Sequence, residues 1–231
     1  MKLSLVIPCY NEGQNIPILI GKLNKVFNYD QHEVILVDNG SSDNTSELIE
    51  KLIKEINFIK YLRIKKNIGY GNGILEGLKI AKGDFIGWTH ADLQTDPKDS
   101  LKAIEMINDK KEKVFFKGLR RSRKFSDKFF TFSMSIFEFL ILGKIMWDIN
   151  AQPTIFSRKL FENWVEAPFD FSLDLFAFYQ AKSNGYKIKR FPVFFPDRIH
   201  GQSHWNIDFK SKLKFIKRTL DYSFNLRKKL N

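Results

Sequence analysis

Glu33-Val34-Ile35-Leu36-Val37-Asp38-Asn39-Gly40-Ser41-Ser42-Asp43-Asn44-Thr45 is the stretch from which the fold can be read. A short β-branched apolar run reads as a buried strand. Asn39-Gly40 supplies turn chemistry, and residues 42–45 supply N-cap side chains. Leu48, Ile49, Leu52, Ile53 and Ile56 then recur at helical spacing,. Strand, turn and helix thus follow one another within a few residues. Ser42 or Asp43 is expected to cap the helix. Asp38, the last residue of the strand, is expected to serve a ligand.

The same unit repeats on either side. Residues 3–7, 59–64, 84–89 and 113–117 read as strands,. Between them, residues 15–27 and 73–81 read as helices, and Asp96-Pro97 opens another,. Alternating strands and helices predict an α/β domain, a mostly parallel central sheet flanked by helices. The second half is less regular. Residues 153–156 and 187–193 read as strands, and 171–184 as a helix closed by Gly185. Residues 125–147 are long, aromatic and mostly apolar. From residue 209, Leu213, Ile216, Leu220 and Phe224 alternate with Lys210, Lys214, Lys217 and Arg218, which predicts a basic amphipathic helix,.

In such sheets ligands bind beyond the carboxyl ends of the strands. Pro8-Cys9-Tyr10-Asn11-Glu12 follows the first strand, where an aromatic and a carboxylate suit a nucleoside. Asn67-Ile68-Gly69-Tyr70-Gly71-Asn72-Gly73 follows the third, and its glycines suit a phosphate at a helix start,. After the fourth, His90, Asp92 and Gln94 alternate and in an extended segment share one face,. One carboxylate, an amide oxygen and an imidazole suit Mn²⁺ or Mg²⁺ bridged to a diphosphate. Asp92 tethering a turn is the competing reading.

The chain has 231 residues and a net charge of +12. Its one cysteine, Cys9, excludes an internal disulfide and a multi-cysteine zinc site,. Residues 110–128 carry nine Lys/Arg against two acids, and residues 205–231 eight against two, so the rest of the chain is nearly neutral. Such stretches fit nucleic acid, an anionic membrane or a phosphorylated substrate. Nucleic acid is not expected, because strand-end carboxylates repel a phosphate backbone. No signal-like segment and no apolar run of 18 residues is found, so the expected place is the cytoplasm, peripherally on the cytoplasmic face of a membrane,.

Residues 6–12, 37–45, 67–69 and 91–94, taken in order, resemble glycosyltransferase family 2, and within it the dolichyl- and polyprenyl-phosphate sugar synthase branch. The resemblance implies a GT-A fold, inverting transfer from a nucleotide-diphospho-sugar, and a divalent metal. It implies a donor site of Pro8, Tyr10, Asn11, Glu12, Asp38, Asn39, Gly40, Asn67, Gly71, Ala91 and Asp92. The metal would sit on Asp92 and Gln94. His90 stands where the family has the first Asp of Asp-x-Asp, which favours Mn²⁺ and makes His90 a further ligand candidate. Gly118-Leu119-Arg120 resembles the family's Gly-x-Arg. Residues 198–205 resemble its Arg-x-x-Gly-x-Ser-Lys loop, with His204 in place of Lys. Arg120, Arg198 and Ser203 would hold phosphate, with Arg198 also assisting the transfer. Asp174 falls where the branch carries the Asp of Asp-x-Glu, a candidate general base, with Phe176 at the Glu position,.

These readings give residues 1–205 as a glycosyltransferase domain, with a nucleotide-sugar half (1–97) and an acceptor half (98–205), followed by the basic helix of 206–231. The leading expectation is transfer of a sugar from a UDP- or GDP-linked donor to a polyprenyl phosphate. The alternative is transfer to a hydroxyl of a lipid-linked glycan in surface-polysaccharide assembly. A third reading is a non-catalytic nucleotide-sugar-binding protein. A homo-oligomer or a small membrane partner fits any of them.

Overall fold

The computed structural model describes residues 2–27, 31–121, 125–200 and 209–230. In chain order the elements are β1 (Leu3–Cys9), α1 (Ile16–Val26), β2 (His32–Asp38), α2 (Thr45–Leu52), β3 (Ile59–Arg63), α3 (Tyr70–Ile80), β4 (Phe85–Trp88), α4 (Lys98–Glu105), β5 (Val114–Arg121), α5 (Phe125–Leu142), β6 (Thr154–Ser157), α6 (Arg158–Glu162), α7 (Leu173–Ser183), β7 (Lys187–Phe194) and α8 (Phe209–Leu230). The strands form one seven-stranded sheet in the order β3-β2-β1-β4-β6-β5-β7. All pairings are parallel except those of β6, which runs antiparallel to both β4 and β5.

Alternation along each strand divides the core in two. Leu3, Leu5, Ile7, Val34 and Leu36 face one side, where they pack with Leu19 and Leu23 of α1 and Ile49 of α2. Val6, Ile35 and Val37 face the other, with Ile74 and Leu78 of α3 and Leu175 and Phe178 of α7. A sheet covered on both faces needs apolar residues at every strand position, which is why these runs are apolar throughout rather than alternating.

Two boundaries differ from the sequence reading. Helix α3 begins at Tyr70, not at Gly73, because its glycines lie inside the first turn. The short helix α6 starts directly after β6, with no Gly or Pro to signal it.

Helix α5 lies against α8, where Ile141, Leu142 and Leu226 are buried. Glu138 is buried between the two helices and accepts a bond from Ser223 Oγ at 2.7 Å, while its Oε1 has no partner among the described residues. Burial pushes the Glu138 carboxyl up to about 7, against the opposing pull of the Ser223 bond. The outer face of α5 stays apolar: Phe132, Ile136, Phe139 and Leu140 are exposed at i, i+4, i+7 and i+8, and Leu140 is 68% exposed,. Among the described residues no helix is long and apolar enough to cross a membrane.

Candidate active site

The register Cys9↔Asp38 brings the ends of β1 and β2 level. Asp38 is fully buried and accepts from Ser41 N at 2.8 Å, with Tyr61 Oη at 3.4 Å and Arg63 Nε at 3.7 Å. Gly40 turns the chain here at φ +77°, a conformation that suits glycine,. Asn11, also left-handed, donates its N–H to Ser41 Oγ and accepts from Ser42 N through Oδ1. The β1 and β2 loops are thus tied together beneath exposed Tyr10, while Pro8 is half-buried. Glu12 is half-buried; burial raises its carboxyl, the Asn15 bond at 2.6 Å opposes this, and nearby Asp92 adds to the rise. Asp43 orders the entry to α2 rather than capping it, since Asn44 is the N-cap residue. Its Oδ1 accepts from Thr45 N at the start of α2, and its Oδ2 accepts from Gly13 N at 3.1 Å.

The glycine-rich loop has a different use from the one its composition predicts. A Cβ on Gly71 would lie 2.5 Å from Pro168 O and 2.6 Å from Asp170 O. Asn72 N donates to Phe169 O at 2.9 Å. Gly71 therefore admits the backbone of residues 168–170, and the expectation that it faces a donor phosphate is corrected. Asn67 Oδ1 accepts from Gly69 N, and Asn39 Nδ2 donates to Gly69 O, so Asn67 and Asn39 both shape this loop.

Leu93 has φ +62°, so residues 90–94 turn rather than extend. Asp92 accepts from Gln94 N at 3.1 Å and is almost fully buried, as is its neighbour Ala91. His90 leaves this pair: its ring stacks on Tyr70 with centroids 5.8 Å apart, and Tyr70 stacks on Phe171 at 4.4 Å. Burial lowers the His90 pKa, with Asp92 and Asp174 pulling the other way. Among the described residues no three His, Cys, Asp or Glu side chains gather to hold a metal. The expectation of His90 as a ligand is not supported by this stacked placement. Asp92 and Gln94 do converge, because Arg198 Nη2 lies 2.8 Å from Asp92 Oδ2 and Arg198 Nε donates to Gln94 Oε1 at 3.1 Å. One buried carboxylate and one amide oxygen focused on a single cationic group fit a hard divalent ion that takes its remaining oxygens from a diphosphate.

Across β6 lies a second polar cluster. Lys117, fully buried on β5, donates to Thr154 Oγ1 at 2.8 Å and sits 3.3 Å from Asp174 Oδ1. Gln152 Nε2 donates to the same Oδ1 at 2.9 Å and lies 3.4 Å from Tyr70 Oη. Burial lowers the Lys117 pKa to about 8, with Asp174 opposing the shift. Arg120 pairs with Asp148 through both Nε and Nη2, and Arg190 approaches the same carboxylate at 3.8 Å. Arg190 also donates to Gly118 O, fixing the end of β5 that carries Arg120. Ser203 lies outside the described residues.

Sequence reasoning missed Lys117, Asp148, Gln152 and Arg190. The available signal was the polar residue set into an apolar strand at Lys117, which pairs in register with Arg190 of β7.

A seven-stranded sheet with donor-type loops at β1, β2 and β4, and a cation-lined rim at β5 and β7, is the arrangement of a GT-A glycosyltransferase. Residues 4–163 match the model of glycosyl transferase family 2, and the chain belongs to that family. The undecaprenyl-phosphate 4-deoxy-4-formamido-L-arabinose transferase of Yersinia enterocolitica is 29% identical over 167 residues, covering 70% of this chain and 50% of that protein. The same-named protein of Proteus mirabilis is 36% identical over 101 residues, 42% of this chain and 31% of that protein. The chain spans about half the length or less of these curated relatives.

Among solved structures, glucosyl-3-phosphoglycerate synthase from Mycobacterium tuberculosis, in complex with Mn²⁺, UDP and phosphoglyceric acid, superposes with a TM-score of 0.75 at 14% identity, covering 98% of this chain and 78% of that one. A mannosyltransferase from Pyrobaculum calidifontis, in complex with GDP-Man and Mn²⁺, superposes at 0.65 with 15% identity, covering 97% and 72%. At these identities the likeness shows the fold.

Proposed function

We propose that the chain transfers a sugar, with inversion, from a nucleotide-diphospho-sugar to a polyprenyl phosphate at a membrane surface. The observation that carries this reading is the company kept by Asp92. The guanidinium of Arg198 stands at its side, and Arg120, Arg190 and Lys117 gather in the adjoining acceptor half. A phosphate acceptor is ionised at neutral pH and needs cations rather than a base. The named substrates of the Yersinia and Proteus relatives point the same way, as does the exposed apolar face of α5.

In this reading residues 1–97 hold the donor: Tyr10 stacks on the base, Asp38 fixes the loop that meets the ribose, and Glu12 lies beside Asp92. Asp92 and Gln94 hold Mn²⁺ or Mg²⁺, which when bound offsets charge on the diphosphate leaving group. Residues 98–205 orient the acceptor, with Arg120, Arg198 and Ser203 on its phosphate. Peripheral contact through α5 and α8 would bring that phosphate to the rim, on the cytoplasmic face of the membrane.

A second reading keeps the donor half and takes a hydroxyl acceptor on a lipid-linked glycan. It is favoured by Asp174: Lys117 and Gln152 both fall on Oδ1, and no bond to Oδ2 is seen among the described residues. A carboxylate fixed by one oxygen can present the other as general base. The test is transfer from radiolabelled UDP- and GDP-sugars, with Mn²⁺, into undecaprenyl phosphate in detergent or vesicles. Labelled lipid phosphate from wild type and from Asp174→Asn at rates within about tenfold supports the phosphate acceptor. No label in undecaprenyl phosphate from wild type, with label instead in a lipid-linked glycan offered as acceptor that falls by roughly 10²–10⁴-fold in Asp174→Asn, is the signature of a lost base and supports the hydroxyl acceptor.

A further inference from the structure

Arg198 occupies the two oxygens that the donor half offers to a cation. Its Nη2 lies 2.8 Å from Asp92 Oδ2, and its Nε donates to Gln94 Oε1 at 3.1 Å. Gln94 is in turn held from the same segment, since its Nε2 donates to Pro196 O at 3.0 Å. The stretch that follows β7 is therefore fastened to the end of β4 through two side chains and three polar contacts.

The chemistry of this contact is specific. Asp92 is almost fully buried, and a buried carboxylate without a counter-charge is strongly unfavourable,. A guanidinium satisfies it with one charge and directional N–H groups, whereas a divalent ion does so with two charges and shorter contacts. An ion seated on Asp92 Oδ2 and Gln94 Oε1 would meet the guanidinium at contact distance, and the repulsion of two positive groups that close sets them in competition. A guanidinium that leaves Asp92 carries its planar fork with it, matched to the oxygens of a phosphate.

We propose that Arg198 and the divalent ion compete for Asp92 and Gln94, so that loading metal and nucleotide releases Arg198 to a phosphate. The proposal rests on the reading of Asp92 and Gln94 as the ion-holding pair. It makes Arg198 the occupant of the unloaded ion site as well as a phosphate ligand. By linkage the effect is reciprocal: whatever donor loading does to phosphate affinity, phosphate does to donor affinity by the same factor.

The experiment is a Mn²⁺ titration without nucleotide, read from the electron paramagnetic resonance signal of the free ion. It compares wild type, Arg198→Ala, Arg198→Lys and Asp92→Asn, with circular dichroism confirming the fold of each. Arg198→Ala is expected to bind Mn²⁺ about tenfold more tightly than wild type, the scale of one charged hydrogen-bonded contact removed from competition. Arg198→Lys keeps the charge but loses the fork, falls between them, and carries the test if the alanine variant does not fold. A second titration uses inorganic phosphate, with and without Mn²⁺ plus UDP or GDP. Wild type is expected to bind phosphate several-fold more tightly when loaded, and Arg198→Ala to show no such coupling.

Mn²⁺ binding in Arg198→Ala no tighter than in wild type, with Asp92→Asn still weakened, overturns the competition and leaves the metal site standing. Equal Mn²⁺ binding in Asp92→Asn and wild type instead overturns the metal reading, and the competition with it.

Discussion

Asp92 is where the chain just after β4 meets Arg198 from the segment after β7, and the consequences of changing it are local. Asp92→Asn keeps the bond from Gln94 N but removes the charge that faces Arg198. Sugar transfer is expected to fall by roughly 10²-fold or more, in line with the several kcal/mol that a metal's charge supplies to a leaving group. Steady-state turnover at saturating Mn²⁺ measures it, and unchanged turnover ends the assignment. Single residues of this kind are legible in the sequence. Asp38 closes a β-branched run and Asp92 follows just after β4, and the region beyond the end of a parallel strand is where ligands bind,. Lys117, Gln152 and Asp148 are not legible there, because their meaning lies in partners distant along the chain. Lys117 and Asp174 are 57 residues apart, and Arg120 and Asp148 are 28 apart. Local pattern says nothing about pairings made only when strands assemble.

At the scale of elements, two packing contacts yield measurable stabilities. Gly71→Ala puts a methyl group 2.5 Å from Pro168 O, so α3 or the segment at 168–170 must shift. A loss of about 1–3 kcal/mol in chemical denaturation is expected, the usual cost of overpacking. The glycines are legible as a site of close approach, but what approaches is the chain's own backbone, which no spacing rule announces. Glu138 is the second case. Its folded pKa is raised from 4.5 to about 7, so the folded state holds a proton that the unfolded state releases. The stability this proton confers is fully present below pH 4.5 and is lost as pH rises through about 7,. Glu138→Gln, which stays neutral and can still meet Ser223, is therefore expected to match wild type near pH 4. Near pH 8 it is expected to exceed wild type by about 3 kcal/mol, because each tenfold difference in proton affinity between the folded and unfolded chain is worth about 1.4 kcal/mol. Urea unfolding at the two pH values decides, and equal stability at both refutes a buried carboxyl between α5 and α8.

For the molecule as a whole, positive charge and exposed apolar surface are concentrated after residue 97. The sequence holds basic stretches at residues 110–128 and 205–231, and α5 between them exposes Phe137 and Leu140, with Ile145 just beyond its end 71% exposed. Vesicles containing phosphatidylglycerol are expected to sediment the protein, and high salt to release part of it. Phe137→Glu and Leu140→Glu are each expected to weaken partitioning by about tenfold or more, since burying such a side chain contributes about 1.5–3 kcal/mol. Sedimentation unaffected by both substitutions removes α5 from the contact. The two-sided sheet is legible as a whole from its continuous apolar runs. The inversion of β6 is not, because residues 153–156 carry no mark of direction.

That inverted strand has a wider consequence. Strands β1 to β4 form one parallel block and β5 with β7 another, and β6 alone joins them. The excursion from β5 to β6, which carries α5, leaves the sheet and returns to this joint without passing through the nucleotide block. Its length and surface can therefore change without touching the register of β1, β2 and β4. What that side of the molecule meets is set apart, by one strand, from the loops that follow β1, β2 and β4.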